Sequence, residues 1–190
     1  MGDEERNLSG ADFAALLDFL HETPNRLARL TEGLLVRQLC LKNSEDEFSA
    51  LENLCHLRDL ELQGYTPRIK LLLDESDPAL ADFDGARVAA ESDYHNQQAD
   101  LALHTFEEER RENVRTLRSL SEEQLERAGT LEGVGKITLR RLAEMMREHD
   151  EGHIEDLRVL RQRLGVRDQP LSEPGAAGVV VATGPMLNDQ

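Results

Sequence analysis

Residues 141–160 read RLAEMMREHDEGHIEDLRVL, and the reading of this stretch decides the fold. Leu139, Leu142, Met146, Leu157, Leu160 and Leu164 recur at spacings of three and four, and His149 and His153 fall into the same series. That periodicity predicts one amphipathic helix over residues 138–164, with Gly165 as its C-terminal cap. Both histidines then take positions on the seam that a bundle helix buries. A buried imidazole without partners for its ring nitrogens destabilises the fold. Two imidazoles four residues apart stack about 6 Å apart along the axis. In that geometry two ring nitrogens can meet one metal ion, and a structural or surface pair is the competing reading. The HDEGH segment is not the H-E-x-x-H of zinc proteases. Asp150 stands where the glutamate belongs and Glu151 lies on another face, so the general base of that motif is absent.

Working outward, the rest of the chain is helical in composition: rich in Leu, Ala, Glu and Arg, and poor in aromatics, Val and Ile. Leu16, Leu17, Leu20, Leu27, Leu30 and Leu34 mark a first helix over residues 11–36, with a kink or break expected near residues 21–23 ahead of Pro24. A second begins in FSALENLCHLRDLELQGY, where Ser49 and Glu52 form a capping box behind Phe48; Ser44 with Glu47 is a competing start. It is expected to end near Gly64, with Pro67 beyond and a further apolar turn, RIKLLLDE. The acidic stretch around Pro78 and Gly85 is too long for a hairpin turn and predicts a crossover connection. A third helix spans residues 99–120, with Leu103, Phe106, Arg110, Val114 and Leu117 on one stripe. A loop follows, with its own short helical turn and three glycines. Its GTLEGVGKIT resembles a phosphate-binding loop only faintly, because the glycine spacing fails and Ile137 stands where Ser or Thr belongs. The fold class is therefore all-α: a four-helix bundle with a long crossover connection, over residues 1–165. Residues 166–190, rich in Pro and Gly, are read as a disordered tail; the run GVVVATG within them could instead be a short strand.

Lys and Arg number 22 against 38 Asp and Glu, a formal net charge of −16. A surface this acidic argues against nucleic acid or an anionic membrane as partner. No apolar run is long enough for a membrane span, and MGDEERNLSG is the opposite of a signal peptide, so a cytoplasmic protein is expected. Cys40 and Cys55 are then free thiols. Cys55 points away from His56 in a regular helix and is not counted as a ligand. A metal held by the histidine pair needs a third ligand, and His21, His56, His95 and His104 are the candidates. His56 shares a polar face with Glu52, Asp59 and Gln63, which is either solvated or the wall of a site. Spacing does not choose among the four.

Three segments, in order, resemble the DinB/YfiT-like metalloenzyme superfamily. FSALENLCHLRDLE is similar to its W-S-x-x-E-x-x-x-H-L-x-D-x-E segment, with Ser49, Glu52, His56, Leu57, Asp59 and Glu61 in register and Phe48 in place of the tryptophan. Phe106 and Arg110 match its third-helix F-x-x-x-R. Gly135, Thr138, Leu139, Leu142, Ala143, His149, Asp150 and His153 match its final segment. The resemblance covers roughly residues 8–164.

The resemblance implies a four-helix bundle holding a divalent metal ion, zinc or nickel first, on His56, His149 and His153. Three neutral imidazoles leave coordination positions open, the arrangement of a catalytic site rather than a closed structural one. It further implies a metal-dependent transferase using a low-molecular-weight thiol as cosubstrate, or a hydrolase, acting on a small electrophile. A non-enzymatic helical metal-binding or stress-response module is the alternative. Members of the family often pair, so a homodimer is also an expectation. Asp59 and Asp150 are candidate partners of the histidines, or surface charges. Arg110 either faces the site and binds an anionic group or forms a structural ion pair with Asp59 or Glu61.

Overall fold

The structure, a computed structural model, describes residues 10–166 apart from 43, 45 and 46. The tail from residue 167 and its GVVVATG run lie outside the described residues. Helix α1 spans Gly10–Thr31, α2 Val36–Leu39 and α3 Ala50–Leu60. A π-helical turn, Glu61–Tyr65, joins α3 to α4, Thr66–Asp74, in one rod. Strand β1 (Ala79–Leu80), α5 (Gly85–Glu91) and a 3₁₀ turn (Tyr94–Asn96) form the connection to α6, Ala99–Ser119. After α6 come α7 (Glu122–Leu125), β2 (Ala128–Leu131), β3 (Gly135–Thr138) and α8 (Leu139–Arg163).

The four long helices are α1, the α3–α4 rod, α6 and α8, and their side-chain partners fix their directions. Arg140 lies 4.9 Å over the Phe13 ring, Arg147 5.0 Å over Phe19, and Arg161 donates to the Leu30 and Glu32 carbonyls, so α1 and α8 run parallel. Arg118 pairs with Asp18, so α6 runs against α1. Cys55 meets Gln97, Glu61 meets Arg110 and Thr66 meets Asn113, so the α3–α4 rod and α6 are parallel. His56 meets His149 and Asn53 meets His153, so α3 and α8 are antiparallel. The path is up, down, down, up. Only a crossover can join two parallel neighbours, and residues 75–98 supply it.

Two apolar clusters fill the bundle. Leu16, Leu20, Leu72, Leu117, Leu139, Leu142 and Met146 pack at one end; Leu27, Leu54, Leu57, Phe106, Ile154 and Leu157 pack at the other. Each fully buried leucine contributes about 1.5–3 kcal/mol. This packing explains why α1 does not break at Pro24. The proline lacks the N–H that would bond the Leu20 carbonyl, yet Leu20 and Leu27 on either side of it are fully buried, and the helix continues to Thr31.

Three other features depart from the sequence reading. The second helix does not end at Gly64. Thr66 N donates to the Glu61 carbonyl, a five-residue step, and this π turn lets Pro67 start the next stretch without interrupting the rod. The loop after α6 is a β-hairpin: β2 pairs antiparallel with β3 from Ala128↔Thr138 to Leu131↔Gly135, and β1 adds parallel to β2 through Leu80↔Leu131. Strands this short carry no readable alternation. On α8 the innermost positions are Met146, Asp150, Ile154 and Leu157, while His149 and His153 sit half-buried at the edge facing α3. Steps of three and four from Met146 fit either residue 149 or 150, so periodicity alone could not separate them.

Candidate metal centre

The site is built where α3 and α8 cross. Ser49 starts α3 as predicted: its Oγ accepts from Glu52 N at 3.2 Å, and Glu52 Oε2 accepts from Ser49 N at 2.7 Å. Such a box satisfies two orphan donors and contributes about 1 kcal/mol. It fixes the first turn, and with it Asn53 and His56 on the face toward α8. Ser44 and Glu47 form only a turn. Phe48, just before the cap, stacks tilted against His56 with ring centroids 5.1 Å apart.

The Nε2 atoms of His56, His149 and His153 converge. His149 Nε2 lies 3.2 Å from that of His56 and 3.2 Å from that of His153. One ligand atom from each residue falls within 4.8 Å of the others. A tetrahedral ion with Zn–N bonds of about 2.0–2.1 Å holds its nitrogens about 3.3 Å apart, so the ring positions suit one cation at their centre. Burial, reinforced by the neighbouring histidines and by Arg110, pushes His56 and His149 down to about 4 and His153 to about 3. All three rings are neutral at pH 7, the state in which an imidazole nitrogen can coordinate. His56 Nδ1 and His149 Nδ1 are buried and make no hydrogen bond to described residues. His153 Nδ1 lies 2.5 Å from Asn53 Oδ1.

The crossover closes the back of the site. Arg68 Nε and Nη2 both donate to the Ala81 carbonyl, at 3.2 and 2.9 Å, and pin the segment that follows. Phe83 then packs 5.9 Å from His56 by ring centroids. Gly85 comes closer still: a Cβ there would sit 2.7 Å from His56 Cε1. Tyr65, at the end of the π turn, sets its ring edge-on to His149 at 6.5 Å.

Beneath the histidines is a buried ion cluster. Arg110, 1% exposed, donates to Glu61 through Nε (2.9 Å) and Nη2 (2.8 Å), and to Asp150 through Nη1 (2.5 Å) and Nη2 (3.2 Å). Asn113 Nδ2 adds a 2.8 Å bond to Glu61. Arg110 is therefore the structural ion pair with Glu61, not an exposed anion-binding group; both faces of its fork are taken. Asp150 is fully buried but reaches Arg110 rather than a histidine. Asp59 accepts from Arg58 Nε and the Tyr94 hydroxyl, each at 2.8 Å, and also reaches no histidine. Of the residues that touch the rings, Phe48 stands at the tryptophan position of the family segment, whereas Asn53, Tyr65, Phe83 and Gly85 carried no signal of that role in the sequence, because none follows from a spacing within one helix. Asp156, with Oδ2 4.0 Å from His153 Nδ1, is an unanticipated carboxylate at the rim; burial and then Glu47 raise its pKa. His21, His95 and His104 are all exposed and away from the cluster, with His104 paired to Glu108. Cys55 is buried against Gln97, and burial pushes its thiol up to about 11, so it is inert.

Fold and site together define a four-helix bundle with a three-histidine centre. The DinB superfamily sequence profile matches residues 20–157, and the chain belongs to that family. No curated protein matches it significantly in sequence. Among solved structures, YfiT from Bacillus subtilis aligns with a TM-score of 0.80 at 22% identity, covering 86% of this chain and 94% of that one. That protein is described as a probable metal-dependent hydrolase with an unusual four-helix bundle topology. At this identity the likeness carries the fold.

Proposed function

We propose that the protein is a metal-dependent enzyme acting on a small electrophilic substrate, with His56, His149 and His153 as ligands of one divalent ion. The observation that carries this reading is the convergence of three neutral imidazoles: His149 Nε2 lies 3.2 Å from the Nε2 of each of the other two, and one ligand atom from each ring falls within 4.8 Å of the others. An all-imidazole donor set suits zinc or nickel rather than calcium or magnesium. Such an ion, when bound, supplies Lewis acidity and open positions for a nucleophile or a carbonyl oxygen. The chain's own groups do the rest. Phe48 and Phe83 wall the His56 side and keep water from its ring. Asp156 is the carboxylate at the rim able to take a proton. Hydrolysis is the first reading, in keeping with the description of the similar Bacillus protein.

Transfer of a low-molecular-weight thiol is the second. One observation favours it: Asp59, Glu61 and Asp150 are all tied into ion pairs, so among the described residues no buried free carboxylate stands beside the rings as a strong base. A thiol activated by the ion itself needs none. The test begins with metal content of purified wild type beside His56→Ala and His149→Ala. About one equivalent in wild type, lost in both variants, is expected. Hydrolysis of an ester and amide panel, with and without added thiols, then separates the two reactions. Wild type that takes up no zinc or nickel after reconstitution would sink the metalloenzyme reading.

A further inference from the structure

Asn53 is 1% exposed and lies in the first turn of α3, behind the capping box. Its Nδ2 donates to the Ser49 carbonyl at 2.9 Å and to the Phe48 carbonyl at 3.3 Å. Carbonyl oxygens only accept, so the amide's NH₂ must be on that side and Oδ1 on the other. Oδ1 faces His153 Nδ1 at 2.5 Å. An amide oxygen also only accepts, so Nδ1 must carry the proton. A neutral imidazole has one N–H, which leaves Nε2 bare and directed at His149 Nε2.

We infer that Asn53 is a positioning residue that locks His153 in its Nδ1–H tautomer and aims the Nε2 lone pair at the point where the three rings meet. The inference rests on the metal reading for its consequence, but the proton on Nδ1 follows from the hydrogen bonds themselves. His153 is the only one of the three whose outer nitrogen is held this way among the described residues; those of His56 and His149 have no partner. The carboxylate on the same helix, Asp156, has its Oδ2 4.0 Å from Nδ1, outside hydrogen-bond range. The orienting group is thus a neutral amide rather than a carboxylate. It sets the ring's direction without adding negative charge, so a bound ion keeps more of its own positive charge.

The decisive experiment uses the full chain stripped of metal, with ¹⁵N-labelled imidazoles read by long-range ¹H–¹⁵N correlation and assigned with single His→Gln variants. His153 is expected as the Nδ1–H tautomer at pH 7. An Nε2–H tautomer, or averaging between the two, overturns the inference. Two variants then test the consequence with zinc as probe, by competition with a chromophoric chelator. Asn53→Asp keeps the acceptor but loses both donors to the cap carbonyls. Its thermal midpoint should fall while zinc affinity stays within a few-fold of wild type. Asn53→Leu loses the acceptor as well, and its zinc affinity should drop about 10–100-fold. Wild-type affinity in Asn53→Leu overturns the positioning role. Should that variant not fold, the tautomer and the Asn53→Asp affinity decide. A wild type that binds no zinc yet shows the Nδ1–H tautomer defeats the metal reading alone, so the two failures can be told apart.

Discussion

The three histidines are held neutral by burial, and that has a cost on acidification. Their folded pKa values, about 4, 4 and 3, lie below the value of about 6.5 that each has in an unfolded chain. As pH falls from about 6.5 the unfolded state takes up protons that the folded state refuses. The stability these rings contribute is complete above about pH 6.5 and is lost progressively toward pH 4. At pH 5 unfolding of the metal-free protein should take up about two to three protons at these sites. Urea midpoints in chelator at pH 7.5, 6 and 5 should fall, and His149→Gln should flatten the slope; a midpoint indifferent to pH over this range would contradict the burial. Arg110 poses the opposite case, a buried cation that two carboxylates need. Arg110→Met leaves Glu61 and Asp150 unpaired in the core and should cost about 3–5 kcal/mol in urea unfolding. Little loss would mean that water reaches that cluster.

At the scale of elements, the hairpin β2–β3 lies close against the chain before β1 at Gly129. A Cβ at Gly129 would lie 2.7 Å from the Pro78 backbone carbonyl and 3.1 Å from Leu72 Cδ2. Backbone cannot yield as a side chain can, so Gly129→Ala should destabilise by about 1–3 kcal/mol, seen as a lower thermal midpoint. Zinc stoichiometry should be unchanged, because the atoms a Cβ at Gly129 would meet, on Pro78 and Leu72, belong to residues that touch none of the three rings. Where elements begin was largely legible in the sequence. The Ser49–Glu52 box, the bounds of α6 and the Thr138 start of α8 all follow from local hydrogen bonds and periodicity, and all stand in the structure. The π turn was not legible, since Arg110 and Asn113, 49 and 52 residues away, bond the glutamate that opens it. Nor could spacing alone pick His56 over His21, His95 or His104. Resemblance to a family made that choice, and the crossing of α3 with α8 brings His56 to the other two.

Across the whole molecule, α3 and α8 share the least extensive of the contacts between neighbouring long helices. The histidine cluster lies in that thin seam and ties residue 56 to residues 149 and 153. An ion there would link the two helices, so zinc should raise the thermal midpoint of the entire domain and chelator should lower it. The shift should grow with the logarithm of free zinc, about 2.7 kcal/mol at a hundredfold excess over Kd. His56→Ala should abolish it. No described helix is long and apolar enough to cross a membrane, and the chain as a whole carries a formal charge of −16. The parallel run of α1 and α8 has an architectural consequence of another kind. The start of α1, near Arg140, and the end of α8, near Leu30, lie at opposite poles, separated by a helix of about 33 Å. A domain built this way can be threaded between two others like a bead on a string, but splicing it into a surface loop of a host would force the host's two strand ends apart by the length of the bundle.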